Sequence, residues 1–335
     1  MTMTRNGKIA RDCLGNEGVA ISLKGSQFGK DKVPPPNDNS HQDSEQHINL
    51  QFSDSTSKYF CKVYYAEHFR MLRKLLFADG EDAFVRSLIP CDAWTPKGGK
   101  SGANFFRTKD KRFILKQMSR HEIQSFLKFA PKYFNYISTA ATENKLTALA
   151  KIYGVYRIGY HNTLTGAQAK MDIFVMEYLF YGRKVDQIYD LKGSLRNRLA
   201  SGRAEQQTDF VLLDENLLKR AWSNPIFLHP HAKALMNMAI DNDRHFLSGN
   251  VVMDYSLLVG FDEEKKELLI GIIDYIRTYT FDKRLETLVK SAVIGQPMPT
   301  VVSPELYGAR FAEAIEIYFP MAPDQWTGLG CGMTC

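Results

Sequence analysis

Two aspartates in the second half of the chain lie among apolar residues, where a carboxylate usually has a specific partner. Asp254 stands in the run VVMDYSLLVG and Asp274 in GIIDYI, twenty residues further along. A buried carboxylate is normally paired, hydrogen-bonded or bound to a metal. The charged segment DEEKK between the runs predicts a β-hairpin with both aspartates at neighbouring strand ends. Such a pair suits phosphoryl transfer, with one carboxylate at the attacking hydroxyl and the other holding Mg²⁺ against nucleotide phosphates.

A glycine-rich segment and a lysine in the first half could hold those phosphates. GGKSGANFF precedes a predicted strand, and glycine lets backbone N–H groups approach phosphate oxygens. The segment matches neither the Walker pattern nor G-x-G-x-x-G, so a flexible hairpin turn remains an alternative. Lys116 closes the next apolar run, RFILK, and either points at the phosphates or reaches solvent. Glu122, in the following helix, either pairs with this lysine or caps the helix.

A third segment, YDLKGSLRNR, places Lys192 and two arginines around Gly193 and Ser194. Clustered cations beside a nucleotide site could neutralise a transferring phosphate or bind an anionic substrate. A solvated basic loop is the alternative for this segment considered alone.

The elements that must position these residues follow from hydrophobic periodicity. Strands are predicted for KYFCKVYY, NFFRT, RFILKQ, KIYGVYRIGY, MDIFVMEYLF and the two runs of the hairpin. Helices are predicted for AEHFRMLRKLLF, for the segment from a Ser119 N-cap at least to Phe129 before Pro131, for HPHAKALMNMAIDNDRHFL and for SPELYGARFAEAIEIYF with Ser303 as cap. A sheet-rich part followed by a more helical part predicts an α+β protein of two lobes with a cleft between them. We assign 1–57 to a disordered segment, 58–180 to the first lobe and 181–335 to the second.

Composition excludes several classes of protein. The 335 residues are 44% hydrophobic and carry a formal charge of +6, but the basic residues form no continuous stripe, so nucleic-acid binding is poorly supported. The five cysteines form no C-x-x-C pair, which argues against structural zinc and fits a reducing cytoplasm. No apolar run approaches the ~20 residues that span a bilayer, so any membrane contact is expected to be peripheral.

Five segments, in this order along the chain, together resemble the phosphatidylinositol phosphate kinases: SGANFF, RFILK, YDLKGS, VMDYSLLVG and GIIDYI. Wider stretches resemble the type III branch, the phosphatidylinositol 3-phosphate 5-kinases: FCKVYYAEHFRMLRKLL, FILKQMSRHEIQSFLKFAPKYFNYI, KSAVIGQPMPTVVSPELYGARF and PDQWTGLG. The resemblance covers residues 58–330. It implies a two-lobed phosphatidylinositol phosphate kinase fold, with antiparallel sheets and helices, distantly like that of protein kinases.

The resemblance also implies ATP and Mg²⁺ as cofactors and a role for each motif residue. The ATP phosphates would be covered by Ser101, Gly102, Ala103, Asn104 and Phe105 and contacted by Lys116. Adenine would be received by Glu177, Tyr178 and Leu179. At the transfer site, Lys192 would lie by the phosphate, Asp254 would act as base or positioning group for the lipid hydroxyl, and Asp274 would be the metal ligand.

The implied activity is ATP-dependent phosphorylation of phosphatidylinositol 3-phosphate at its 5-hydroxyl, giving phosphatidylinositol 3,5-bisphosphate on endosomal or vacuolar membranes. In this family the loop after Asp274 selects the head group and touches the membrane, which implies lipid contacts for Lys283, Arg284 and Lys290. An amphipathic helix packed on the lobe is the alternative for that loop. Phosphatidylinositol 4-phosphate as substrate, or a non-catalytic phosphoinositide-binding scaffold, remain open as alternatives, although all four catalytic candidates are intact.

Some features depart from related patterns. Val259 stands where the catalytic loop of a protein kinase has asparagine, so a second metal ligand is unidentified, and Tyr275 and Ile276 replace Phe–Gly after Asp274. Both departures are typical of the lipid-kinase family. Type III enzymes usually carry a zinc finger and a chaperonin-like domain, which these residues do not accommodate, so we expect a stand-alone catalytic module or a partial gene product.

Overall fold

The computed structural model describes residues 20–22, 46–95, 103–200, 210–276 and 303–323. The described residues fall into two compact units. The first comprises 46–145 and 150–184, and the second comprises 20–22, 146–149 and the described part of 185–323.

The described part of the chain consists of runs of two to four strands separated by one or two helices. The strands are β1 Ala20–Ser22, β2 Ile48–Ser53, β3 Ser57–Tyr64, β4 Cys91–Trp94, β5 Phe105–Thr108, β6 Phe113–Met118, β7 Ile152–Asn162, β8 Gln168–Glu177, β9 Gln187–Leu191, β10 Val211–Leu212, β11 Ser256–Asp262 and β12 Glu267–Ile273. The helices are α1 Ala66–Leu76, α2 Glu81–Leu88, α3 Arg120–Thr142, α4 Asp214–Ser223, α5 Pro230–Gly249 and α6 Pro304–Tyr318. No helix in these ranges is both long and apolar enough to cross a bilayer.

The first unit is built on a seven-stranded antiparallel sheet in the order β2-β3-β7-β8-β6-β5-β4. Helices α1 and α3 cover one face through aromatic contacts. The ring of Phe126 in α3 lies 4.7 Å from that of Phe174 in β8, and Phe69 in α1 lies 4.9 Å from Phe134 in α3. All four side chains are buried. This core fixes β6, the strand that carries Lys116.

Helix α3 continues through Pro131, beyond the point at which the sequence suggested a break. Proline lacks the N–H that would bond the carbonyl four residues earlier, which is that of Leu127. The hydroxyl of Tyr65 donates to this carbonyl instead, at 3.0 Å. A tertiary contact therefore satisfies the group that the proline leaves free, and the helix extends to Thr142.

The second unit contains a five-stranded mixed sheet in the order β1-β12-β11-β9-β10. Strand β11 is central and antiparallel to both β12 and β9, whereas β1 and β10 pair in parallel at the edges. Helix α6 begins where Ser303 Oγ accepts the Leu306 N–H at 3.2 Å, as the sequence predicted. Its C-terminal end is held by Lys233 of α5, whose Nζ donates to the carbonyls of Glu316 and Phe319.

The α+β prediction is confirmed, and the structure describes two strands within the segment that we assigned to disorder. Residues 1–57 were expected to be disordered, yet β1 and β2 lie within them. Strand β2 is exposed on both faces and needs only backbone pairing with β3, so it leaves no buried apolar pattern in the sequence. The other residues before position 46 lie outside the described ranges.

Candidate active site

The predicted hairpin is present in the second unit and places the two aspartates at the same end of one strand pair. The β11–β12 ladder runs from Ser256 opposite Ile273 to Asp262 opposite Glu267. Asp254 lies two residues before the first of these pairs, and Asp274 lies one residue after it. Both have positive φ, 65° for Asp254 and 60° for Asp274, so the chain leaves the regular strand at each aspartate.

The environment of Asp254 differs from the sequence interpretation. We expected a buried carboxylate inside a strand, but Asp254 precedes the strand and its side chain is 57% exposed. The neighbouring Val252, Tyr255 and Leu257 are buried instead. The left-handed backbone at Asp254 interrupts strand alternation, so the apolar residues on either side can be buried while the carboxylate points outward.

Lys192 contacts Asp254 directly. Its Nζ donates to Asp254 Oδ1 at 2.5 Å and to the Asp254 carbonyl at 2.9 Å. Lys192 follows strand β9, which pairs with β11 so that Leu191 lies opposite Leu257. The sheet therefore brings the YDLKGS and VMDYSLLVG segments together, which the sequence alone could not demonstrate. Two of the predicted site residues share one ion pair.

A third aspartate, missed by the sequence analysis, holds the Lys192 segment in place. Asp214, the first residue of α4, is fully buried. Its Oδ1 accepts the backbone N–H of Lys192 at 3.0 Å and that of Gly193 at 2.8 Å. It also accepts the Tyr318 hydroxyl at 3.0 Å, and its Oδ2 accepts Arg198 Nε at 2.8 Å.

Arg198 is the cation of this network, and it pairs with both Asp214 and Asp190. Burial alone would lower the pKa of Arg198, but the hydrogen bond to Asp214 and the charge of Asp190 raise it above its ordinary value. Burial, followed by the Asp214 charge, raises the pKa of the Tyr318 phenol. The only sequence signal was the cluster of cations after Asp190, which requires an acidic partner. Nothing local identifies that partner as a residue more than twenty positions from Lys192.

Helix α6 supports the segment that follows Asp254. The Tyr307 hydroxyl donates to the Tyr255 carbonyl, and the two rings meet edge to face with centroids 4.9 Å apart. Burial, and then the charge of Asp254, raises the pKa of Tyr307. Tyr307 therefore remains a hydrogen-bond donor throughout the physiological range. The backbone next to Asp254 is thus fixed from the helix side as well as by Lys192.

The remaining nucleotide-site candidates lie in the first unit. Lys116 is buried at 5% exposure, pairs with Phe105 across β5 and β6, and has its Nζ 5.8 Å from the Phe105 ring centroid. Asn104 extends the pairing, because its carbonyl accepts the Gln117 N–H at 2.8 Å. Ala103 is described beside it, whereas Ser101 and Gly102 lie outside the described residues.

Glu122 serves as a helix cap. Its Oε2 accepts the Ser119 N–H and hydroxyl, both at 2.9 Å, while Ser119 Oγ accepts the Glu122 N–H at 3.2 Å. This reciprocal capping box supports the capping alternative left open by the sequence.

The segment of Glu177, Tyr178 and Leu179 ends β8. Glu177 forms two hydrogen bonds with Lys151. Its N–H donates to the Lys151 carbonyl at 3.0 Å, and its Oε1 accepts the Lys151 N–H at 2.7 Å. The Tyr178 N–H donates to the Arg112 carbonyl at 2.9 Å. Within the described part of the first unit, the Leu179 N–H makes no hydrogen bond.

The predicted metal ligand and the predicted lipid-binding residues remain to be placed. Among the described residues, no group of three or more histidine, cysteine, aspartate or glutamate side chains forms a metal cage. Asp274 lies at the end of β12 and stays a predicted ligand. The lipid-binding candidates Lys283, Arg284 and Lys290 lie outside the described residues.

Comparison with known proteins places these motifs in one family. The model of the Phosphatidylinositol-4-phosphate 5-Kinase family matches residues 93–268 and 262–318. The chain is 53% identical over 328 residues to a human 1-phosphatidylinositol 3-phosphate 5-kinase, covering 97% of this chain and 15% of that protein. A mouse protein of the same name is 53% identical over 304 residues, covering 90% of this chain and 14% of that protein. A Saccharomyces cerevisiae protein of that description is 42% identical over 290 residues, covering 84% and 12%.

The chain thus spans about 15% of the length of the curated relatives that it matches. The family match covers more than half of the chain and includes the strands, loop and hairpin that carry Lys116, Lys192 and Asp254. The chain therefore belongs to the phosphatidylinositol-4-phosphate 5-kinase family, as its ordered motifs predicted.

Proposed function

We propose that this chain catalyses ATP-dependent phosphorylation of phosphatidylinositol 3-phosphate at the inositol 5-hydroxyl, giving phosphatidylinositol 3,5-bisphosphate. The observation that carries the proposal is the Lys192–Asp254 ion pair at the end of the hairpin that also bears Asp274. The name shared by the human, mouse and yeast relatives supports the choice of lipid.

Asp254 is the group that meets the lipid hydroxyl in this proposal. Its exposed carboxylate can accept a hydrogen bond from the 5-hydroxyl and take its proton while the hydroxyl oxygen bonds to the γ-phosphorus. The bond from that phosphorus to the β–γ bridging oxygen breaks, and ADP leaves with the bonding electrons. Asp254 needs no burial for this role, because the acceptor must reach it from solvent or a membrane surface.

The two lysines act on phosphate charge. Lys192 lies beside the attacking group, where its ammonium can pass from Asp254 to the transferring phosphoryl oxygens as negative charge moves. Lys116 contacts the nucleotide phosphates under the segment Ser101, Gly102, Ala103, Asn104 and Phe105. Adenine lies against Glu177, Tyr178 and Leu179, and the Leu179 N–H can donate to a ring nitrogen.

Asp274 fits a magnesium ligand in this scheme. Mg²⁺ takes one or two carboxylates and completes its coordination with substrate phosphates and water, so a single aspartate at a strand end is sufficient. The ion, when bound, neutralises charge on the β- and γ-phosphates. Asp274 itself supplies hard oxygen donors at the position where the backbone leaves β12.

Membrane binding completes the proposal. Lys283, Arg284 and Lys290 follow Asp274 and supply cations for an anionic lipid surface, each contributing ~1 kcal/mol near the membrane. We place this peripheral contact on the cytoplasmic side of endosomal or vacuolar membranes.

A transfer assay tests the lipid and the activity together. The purified chain is incubated with radiolabelled ATP, Mg²⁺ and liposomes that each carry one phosphatidylinositol monophosphate, and the products are resolved by position of the label. Label at the 5-position of the 3-phosphate lipid is expected. No label on any lipid, while ATP still binds, would contradict the catalytic proposal and favour a phosphoinositide-binding scaffold.

Substitution of the metal ligand separates catalysis from binding. Asp274→Asn removes a charge from the proposed Mg²⁺ site and is expected to abolish turnover with little loss of lipid binding. Asp241→Asn is the control, because Asp241 is a half-exposed residue of α5 whose ion pairs with described residues are all along its own helix. Unchanged turnover in the first variant, or equal losses in both, would refute the role of Asp274.

One alternative substrate has its own support. The matched family model is described as a phosphatidylinositol-4-phosphate 5-kinase, which favours the 4-phosphate lipid. The same liposome assay decides between them. Preferential labelling of the 4-phosphate lipid would keep the catalytic assignments and change the substrate.

A further inference from the structure

The first unit contains a basic cavity that takes no part in the proposed transfer reaction. It has a volume of about 400 Å³, and its lining includes Met118, Arg120, Arg157, Lys170 and Asp172. None of the described residues assigned to ATP or to phosphoryl transfer lines it. The proposed transfer reaction therefore does not account for this cavity.

Sheet register explains why these side chains meet. Asp172 of β8 lies opposite Arg157 of β7 on one side and opposite Met118 of β6 on the other. Lys170 is two residues before Asp172 and shares its face of the sheet. Arg120 begins α3, two residues after Met118. Three cations from two strands and one helix start thus converge at one point.

The cations exceed the acidic groups in the lining. Arg157 is held by Asp172 through two hydrogen bonds, Nε to Oδ1 at 2.7 Å and Nη2 to Oδ2 at 2.9 Å. That hydrogen bond, against the opposing effect of burial, raises the pKa of Arg157. A guanidinium has five N–H groups, so three remain for another acceptor. The pair fixes the orientation of the Arg157 side chain.

The other two cations have no carboxylate partner. Within the described residues, neither Arg120 nor Lys170 forms an ion pair, and the Lys170 ammonium lies 5.7 Å from the centroid of the Phe60 ring. The N-terminus of helix α3 adds little further positive charge at the cavity, because Ser119 and Glu122 already cap its first turn. Among the described lining residues, three cations against one carboxylate leave an excess of two positive charges at the cavity.

We propose that this cavity binds a phosphomonoester dianion, carried by a soluble phosphate compound or by a lipid head group. A phosphomonoester has about −1.5 to −2 charge at pH 7 and three strong acceptor oxygens, which matches the excess charge and the three cationic side chains of the cavity. The Arg157 fork, already oriented, can bind two of those oxygens, and Arg120 and Lys170 reach the third. The inference does not depend on the chain being a kinase.

The test measures binding with charge-removed variants of the full chain. Inorganic phosphate, soluble inositol 3-phosphate and acetate are titrated calorimetrically, and flotation is measured with phosphatidylcholine vesicles with or without phosphatidylinositol 3-phosphate. The double variant Arg120→Ser, Lys170→Ser leaves the Arg157–Asp172 pair intact. Lys132→Ser is the control, because Lys132 is exposed on the same helix and does not line the cavity. Circular dichroism and the unfolding midpoint check that every variant is folded.

The proposal expects saturable phosphate or inositol phosphate binding that weakens at least about tenfold in the double variant, the loss of more than one charge-assisted contact. The control should bind as the unaltered chain does, and acetate should bind more weakly than phosphate. Loss of vesicle binding alone in the double variant identifies a lipid head group as the source, and loss of soluble binding alone identifies a free phosphate compound. Binding that survives the double substitution, or that acetate matches, overturns the proposal.

Discussion

Replacing Asp214 by asparagine tests whether one buried carboxylate positions Lys192. Asp214 is fully buried and accepts four donors, two from the backbone of the Lys192 segment and two from side chains. Asparagine keeps the shape but has one acceptor oxygen and an NH₂ group. In one amide orientation the NH₂ group faces Arg198 Nε, and in the other it faces the N–H groups of Lys192 and Gly193.

The loss in free energy of unfolding is set by the more favourable of these two amide orientations. With its oxygen towards the backbone, the variant loses the charged hydrogen bond to Arg198, which contributes ~1.5–3 kcal/mol, and places two donors against each other. Breaking a buried ion pair costs ~3–5 kcal/mol, but Arg198 keeps its 3.0 Å contact to Asp190. We therefore expect the free energy of unfolding to fall by about 3 kcal/mol.

The activity should fall through the rate of the chemical step. Because Asp214 holds the backbone of Lys192 and Gly193, its loss shifts the ammonium relative to Asp254 and should lower kcat far more than it raises the KM for ATP. Urea unfolding monitored by circular dichroism gives the stability, and the liposome assay gives both kinetic constants. Misplacement of a charge at the transfer site predicts this separation of kcat from KM.

Asp262→Asn is the matched control for a buried aspartate. Asp262 ends β11 at 1% exposure, and within the described residues its Oδ2 accepts no hydrogen bond. Its Oδ1 accepts the Lys265 N–H at 2.9 Å, and the half-exposed Lys265 ammonium lies 4.0 Å from Oδ2, at the outer limit of an ion pair. We expect this change to cost less than ~1 kcal/mol, the value of a single hydrogen bond. Wild-type stability and kcat in Asp214→Asn, or equal losses in the two variants, would refute the positioning argument.

Two further predictions concern a glycine and a carboxylate. Gly193→Ala should lose ~1–3 kcal/mol more stability in urea unfolding than Gly182→Ala, because both glycines have positive φ, 65° and 68°, but only at Gly193 would a new Cβ lie 2.9 Å from the Ala314 Cβ. Equal losses of stability in the two variants would show that backbone strain, and not the contact with Ala314, determines the effect. Burial tends to raise the pKa of the Asp110 carboxyl, but hydrogen bonds, of which the one from Ser87 is the strongest, lower it further. The pKa of Asp110 therefore lies below its ordinary value of 3.8. Its stabilising effect is therefore complete above pH 3.8 and is lost as the pH falls through the lowered pKa. The stability difference between Asp110→Asn and the unaltered chain should shrink over that interval, and a pH-independent difference would contradict the assignment.

Local patterns predicted most of the fold. The hairpin was evident because two apolar runs flank a charged turn, and α6 because Ser303 and Pro304 mark its start. Patterns failed where a distant residue supplies the missing interaction. Helix α3 passes Pro131 because Tyr65 bonds the free carbonyl, and no signal near Pro131 announces this contact.

The site was predictable in its chemistry and less so in its geometry. Residue types and order indicated Lys192, Asp254 and Asp274, because phosphoryl transfer requires cations and carboxylates in those roles. Burial of Asp254 was predicted wrongly, since apolar neighbours imply a buried strand unless the backbone leaves the β region. Asp214 was missed, because a first-turn acid in a helix has a sufficient local explanation in the helix dipole.

The backbone at the two aspartates favours a catalytic reading over a scaffold. Asp254 and Asp274 each adopt a left-handed conformation, which costs roughly 1–2 kcal/mol for a residue with a Cβ. Six other described non-glycine residues also have positive φ, so the conformation at Asp254 supports a functional role only together with the contacts that hold it. At Asp254 hydrogen bonds impose the conformation: Lys192 donates to its carbonyl and carboxylate, and Tyr307 donates to the carbonyl of Tyr255. A fold selected only to bind lipid has no need to hold a carboxylate outside the strand in this way, whereas a transfer site requires its acceptor group to stand clear of the sheet and in fixed orientation.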